Sequence, residues 1–259
     1  MTCDEVHNVN GSATRDGQRV TGVTPGPIVL ALDSAGSGCS AVVATGETVL
    51  DAERFTTEHG QAERLLPMID SVMRKAGLSA SALDIIGTTI GPGSFTGIRV
   101  GLAAARGIAL ATGAPLIGVT GFEAVAASLA ASTQDRRGGF LLIALESRRE
   151  DLYIQLFDYS HTPLGEPMAA MPAALAKALS GLIGEAPLLI AGDAAQRAAN
   201  MLLPRSGTIV VQGSGPDAAG VLRAVLRRAR ENESFVTPLP LYLRPPDVTV
   251  STAHQGAGR

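Results

Sequence analysis

A chain of 259 residues, 46% hydrophobic and 17% charged, is long enough to bury substantial cores and too apolar to stay disordered. A net charge of −3 gives it no electrostatic grip for holding nucleic acid unaided, and 3% aromatics without Trp argue against stacking platforms. The two cysteines, Cys3 and Cys39, make no disulfide framework, and His7, His59, His161 and His254 have no metal-ligand spacing.

Residues 1–26 are polar, carry Asp4, Glu5 and Asp16, and lack the apolar core of a signal peptide. They are expected to form a flexible tail, dispensable for folding, and the cytoplasm is the expected compartment. Order is expected from strand Ile28–Asp33, followed by strands Cys39–Thr45 and Glu47–Phe55 across short turns, an antiparallel meander. From Gln61, Ala62, Leu65, Leu66, Ile69, Val72, Met73 and Ala76 trace one helical stripe, with Pro67 inside it and Gly77 as terminator. A strand over Leu83–Ile90 leads through Gly91-Pro-Gly-Ser-Phe-Thr-Gly97 into a helix over Thr96–Thr112. Strand Pro115–Val119 and helix Phe122–Ala131 close the first half.

Gln134–Gly139 reads as a boundary. Beyond it come strands Phe140–Leu145 and Leu152–Tyr159, helix Ala173–Leu182, strand Pro187–Ala191, helix Ala194–Leu202, strand Thr208–Gln212 and helix Asp217–Asn232. Two halves that each open on strands and then alternate helix with strand predict two α/β lobes, 27–133 and 139–247, with a tail over 248–259. The apolar stretch Val100–Gly118 is broken by Arg106, Gly107, Gly113 and Pro115 and makes a poor membrane span.

The glycine-rich turn opens a helix, where backbone N–H groups can cradle phosphate, but no Lys-Ser or Lys-Thr follows a Gly-x4-Gly spacing. A structural turn is the alternative. Ile98, Val100, Leu102, Ile108 and Leu110 of that helix point in nearly all directions, so it should be buried all round, by its own lobe or by a partner chain. Gly97, Gly101 and Ala105 form a row of small residues open to close backbone approach. Removing the sheet-facing side leaves Arg99, Leu102, Ala103, Arg106 and Leu110 as the expected partner face, flanked on the preceding helix by Glu63, Pro67, Asp70 and Arg74. Asp33 ends the first strand, where it either caps a turn or is the vestige of a phosphate site; Asp193 and Gly213–Pro216 read the same two ways. Arg223, Arg227, Arg228 and Arg230 on the last helix read as a solvated face, with nucleic-acid contact as the other reading. No Gly-x-Ser-x-Gly or His-Glu-x-x-His is present, and no cofactor or metal site is expected.

In order along the chain stand Ile28–Asp33, Leu65-Leu-Pro67, Gly91-Pro-Gly-Ser-Phe-Thr-Gly-Ile-Arg99, Glu146-Ser-Arg-Arg-Glu-Asp-Leu-Tyr153 and Pro238-Leu-Pro-Leu-Tyr-Leu-Arg-Pro-Pro-Asp247. Together these resemble the TsaB (YeaZ) family, the Gcp-like subunit of the tRNA threonylcarbamoyladenosine machinery, with Glu146 where Asp is usual. The resemblance implies the two-lobed actin-like ATPase (ribonuclease H-like) superfold, mixed sheets flanked by helices. It implies a non-catalytic scaffold that binds a TsaD-type catalytic subunit, works with a TsaE-type ATPase and meets tRNA only through the complex; when the chain is alone, the expected partner face of the two helices is open to a two-fold homodimer, with a monomer as the alternative. The metal-binding His pair of the catalytic relative falls here on Gly121 and Val125, neither of which ligates metal. The rival readings are an ATP-dependent small-molecule kinase of the same superfold, which needs more than Asp33, and a glycoprotease, which lacks a nucleophile and base.

Overall fold

The computed structural model describes residues 26–56, 60–133, 139–202, 207–231 and 238–244. The N-terminal tail, His59, most of the Gln134–Gly139 boundary and residues 245–259 lie outside them.

Five strands form the first sheet: β1 (Ile28–Asp33), β2 (Cys39–Thr45), β3 (Thr48–Phe55), β4 (Ile85–Gly91) and β5 (Leu116–Thr120). Their order is β3-β2-β1-β4-β5. The β1–β2–β3 meander is antiparallel, and β4 and β5 add in parallel. The second sheet holds β6 (Phe140–Glu146), β7 (Leu152–Asp158), β8 (Met168–Ala170), β9 (Leu188–Gly192) and β10 (Thr208–Gln212) in the order β10-β9-β6-β7-β8. Here too the first three strands are antiparallel and the last two join in parallel. Counted from its other edge, this is the order of the first sheet. The chain therefore builds one ribonuclease H-like topology twice, which is the actin-like arrangement.

Both faces of the first sheet are covered, so β1 reads as a continuous apolar run and not as an alternation. Leu30 and Leu32 face α1 (Gln61–Lys75) and α2 (Phe95–Thr112), where Leu65, Val72 and Ala105 complete the core. Val29 and Ala31 face the opposite side and pack with Ala124, Val221 and Val225 of α3 (Gly121–Thr133) and α6 (Ala218–Arg230). Although α6 follows the second sheet in sequence, it packs on the first. Helix α3 also meets the second sheet, through Phe122, Val125 and Ala126 against Leu141, Ile143 and Phe157. The outer side of that sheet is backed by α4 (Pro172–Ile183) and α5 (Ala195–Met201).

Local chemistry sets the helix ends. Gly77 takes φ 69°, its N–H reaching Arg74 O at 3.0 Å while the Leu78 N–H reaches Met73 O at 3.0 Å, the paired bonds of a Schellman stop. At the start of α3, the Thr120 N–H donates to Glu123 Oε2 at 2.8 Å and the Glu123 N–H to Thr120 Oγ1 at 3.1 Å, a reciprocal capping box. Two differences from the sequence reading stand out. The buried stripe of α1 is Gln61, Leu65, Met68, Ile69, Val72 and Met73, with Ala62 and Leu66 outside it. The three-residue strand β8 pairs with β7 and was not expected.

Candidate functional site

Two regions bear on function: the cleft between the lobes and the outer face of α1 and α2. The cleft has a volume of about 580 Å3, lined by Ala35, Ser37 and Gly93 from the first lobe and Glu146, Arg148 and Asp193 from the second. Asp33 ends β1 at a separate hollow of about 20 Å3 that it shares with Gly36 and Asp193; it is 4% exposed and accepts the Ala35 N–H at 3.3 Å. Burial pushes its carboxyl up to about 6, a rise limited by the Thr89 hydroxyl and the Ala35 amide. Asp193, on the opposite lobe, accepts the Glu146 N–H at 3.0 Å, and burial raises its carboxyl too. The backbone of the glycine-rich turn is engaged by the chain itself. Its Ser94 N–H donates to Ala35 O at 2.8 Å, its Gly97 N–H to Ser94 Oγ at 3.2 Å, and a Cβ on Gly93 would run into the Ala35 carbonyl. These contacts fasten the turn to the β1–β2 connection.

The positions matching the relative's metal pair are packed. A Cβ on Gly121 would meet Leu145 Cδ1 at 3.1 Å and Pro216 Cγ at 3.2 Å. Val125 lies 6% exposed among Phe122, Leu141 and Ile143. These residues offer no nitrogen, oxygen or sulfur donor from their side chains, so the chain does not fit a metal there.

On the outer face, α2 is not buried all round. Thr96, Arg99, Ala103, Arg106, Gly107, Leu110 and Ala111 form an exposed stripe, with Leu110 89% exposed. Glu63, Pro67, Asp70 and Arg74 of α1 are exposed as well, and Asp70 pairs with Arg74 at 3.5 Å. Leu102 requires a correction: it is 2% exposed and packs with Ala35, Ile98 and Ile90. The β1–β2 connection and the end of β4 cover a second side of the helix, which subtracting one sheet-facing side does not allow for. The small-residue row is also turned inward. A Cβ on Gly97 would strike the Ser34 carbonyl, and one on Gly101 would lie 2.6 Å from Ser34 Oγ, so the backbone that approaches closely is the chain's own.

Leu66, which the sequence reading placed in the core, is 58% exposed on this face. Its spacing from Glu63 and Asp70, three and four residues away, was the available signal. The two arginines on the edge are also tied down by a segment not anticipated there. Arg99 lies 3.7 Å over the Phe95 ring and donates through Nε to the Tyr242 hydroxyl at 3.1 Å, and Arg106 donates to Pro238 O at 2.5 Å. Residues 238–244 thus strap along α2, with the Leu241 N–H on Ile90 O at 2.8 Å.

Residues 56–205 match the family model of tRNA N6-adenosine threonylcarbamoyltransferase, TsaD. The chain is similar to an uncharacterized protein of Mycobacterium tuberculosis, 31% identical over 221 residues that cover 85% of this chain and 92% of that one. It is also similar to the tRNA threonylcarbamoyladenosine biosynthesis protein TsaB of Escherichia coli, 32% identical over 126 residues, 48% of this chain and 52% of the relative. In fold it resembles YeaZ from Pseudomonas aeruginosa, with a TM-score of 0.69 at 22% identity over 84% of this chain and 100% of that one.

Proposed function

The chain belongs to the TsaD-type threonylcarbamoyltransferase family, on its TsaB (YeaZ) branch, and from that membership we propose that it is the non-catalytic subunit of the complex that forms threonylcarbamoyladenosine in tRNA. The observation that carries this reading is the exposed strip Leu66, Ala103, Gly107 and Leu110, apolar at its centre and edged by Glu63, Asp70, Arg74, Arg99 and Arg106. Apolar anchors inside a charged rim are the anatomy of a protein interface. The strip is the surface for a TsaD-type catalytic subunit, helix pair against helix pair. Without that partner, the same patch supports a two-fold homodimer. A TsaE-type ATPase completes the machinery, tRNA is met through the assembled complex, and the work takes place in the cytoplasm. The packing of Gly121 and Val125 supports leaving the chemistry to the partner.

Reconstitution tests this. The chain co-purifies with its TsaD-type partner, and omitting it stops tRNA modification. If modification runs at full rate without the chain, or if the isolated chain hydrolyses ATP in a way that Asp33→Ala abolishes, the scaffold reading is wrong.

A further inference from the structure

Three sequence segments that mark this chain are far apart: the glycine-rich turn 91–97, the segment Glu146–Tyr153, and Leu241–Arg244. Thr96 of the first, and Arg99 just after it, lie on the face of α1 and α2. In the fold the three meet at one cavity of about 160 Å3. The turn contributes Gly93 and Phe95, the β6–β7 loop and the start of β7 contribute Arg149 and Tyr153, and the strap along α2 contributes Tyr242 and Arg244. A chain with three Tyr and six Phe in all thus places Phe95, Tyr153 and Tyr242 around one small space beside two arginines.

The polar groups here are arranged as donors. Arg244 is held at 2.6 Å by Asp151, whose side chain is 1% exposed and which also accepts the Ser147 hydroxyl at 2.9 Å. A guanidinium carries five N–H donors, so the ion pair with Asp151 anchors Arg244 and leaves donors for the cavity it lines. The Tyr242 hydroxyl accepts from Arg99 and keeps its own proton to give. Of the segment's other carboxylates, Glu150 is exposed and Glu146 is paired with Arg197, which also holds the Arg149 and Glu150 carbonyls at 2.8 and 3.1 Å. That clamp stiffens the loop, in which Arg148 adopts φ 62°, a left-handed conformation that costs a non-glycine residue energy and that concentrates at functional sites.

We propose that this cavity binds a phosphate group, with the guanidinium groups of Arg149 and Arg244 and the hydroxyls of Tyr153 and Tyr242 as donors. A tetrahedral anion takes donors from several directions, as three separate segments supply them, whereas a planar carboxylate is served by a single guanidinium fork. The interlobe cleft shares Gly93, Ser147 and Tyr153 with the cavity and leaves room for the rest of the ligand. The phosphate belongs either to a free nucleotide or to an RNA backbone. The site meets the α1 and α2 strip only at Arg99, which edges the strip and donates to the Tyr242 hydroxyl, so Arg149, which lies off the strip, tests the site apart from the subunit reading.

The test uses the full chain, alone and bound to its TsaD-type partner, with inorganic phosphate, ATP and unmodified tRNA as probes, followed by calorimetry and thermal shift. At least one phosphate-bearing probe is expected to bind. Arg149→Gln, an exposed position, should weaken that binding at least tenfold while leaving the ligand-free Tm unchanged, and Tyr242→Phe should weaken it a few-fold. ATP binding displaced by inorganic phosphate assigns the site to a nucleotide. Binding of tRNA alone, weakened by the same variants and displaced by phosphate, assigns it to RNA. If no probe binds, or if binding survives Arg149→Gln undiminished, the proposal is overturned.

Discussion

The sharpest test of the α1 and α2 face compares two leucines of one helix. Leu110 is 89% exposed and Leu102 is 2% exposed, packed with Ala35, Ile98 and Ile90. Leu110→Glu puts its charge in water in the free chain, so folding stability should change by no more than about 0.5 kcal/mol. In the complex the same carboxylate is buried without a partner, a cost on the order of 3 kcal/mol, or more than a hundredfold in affinity. Leu102→Ala does the reverse. It removes buried methylenes and leaves a cavity, costing about 3 kcal/mol, which for a chain of this size lowers Tm by roughly 6–12 °C. A charge at Leu102 would unfold the lobe and say nothing about partners. The assay is urea denaturation of both variants together with calorimetric titration of the TsaD-type partner. Unimpaired binding by Leu110→Glu refutes the proposed interface, and an unchanged melt for Leu102→Ala refutes the packing.

The buried Asp33 gives a pH signature. Its carboxyl rises from 3.8 to about 6, so the stability it contributes is fully present below pH 4 and is lost as pH climbs through 6. Asp33→Asn should therefore gain stability over the parent by up to about 3 kcal/mol at pH 7, and by little at pH 4, in parallel denaturation series; a difference that stays flat with pH contradicts this. Glu123→Ala strips the capping box and leaves Arg228 without its carboxylate, so it should cost about 3 kcal/mol, with Glu123→Gln costing less. Along α2, Gly97→Ala should destabilise strongly against the Ser34 carbonyl, whereas Gly107→Ala, with open space around the added methyl, should raise stability by about 0.5–1 kcal/mol. Both are read by thermal melting, and equal effects would refute the assigned orientation of the helix.

Much of the fold was legible because local signals agreed with one another. The apolar run Ile28–Asp33 is buried on both faces, and Gly77 stops α1 as its place in the pattern predicts. What failed was information that no local window carries. The strand β8 is only three residues long and exists through its pairing with β7, leaving no period to detect. Val221, Leu222 and Val225 give α6 an apolar stripe that would suit either sheet, and only the tertiary fold sends it to the first.

The site was legible in proportion to how far a helical wheel can decide orientation. On α1 the wheel has contrast, so Glu63, Pro67, Asp70 and Arg74 face outward as expected. On α2 nearly every position is apolar or small, and the wheel has no preferred side. Ala103 and Leu110 point outward there and Leu102 does not, because the Ala35 connection and Ile90 close over Leu102 from outside the helix. The cavity at Arg149 and Arg244 lies beyond any wheel. Its lining comes from segments more than fifty residues apart, and the sequence marks them only as three motifs, without saying that they touch. Their meeting follows from the doubled topology. The β1–β2 and β6–β7 connections both sit at the cleft between the lobes, which sets the glycine-rich turn against the loop that bears Arg149.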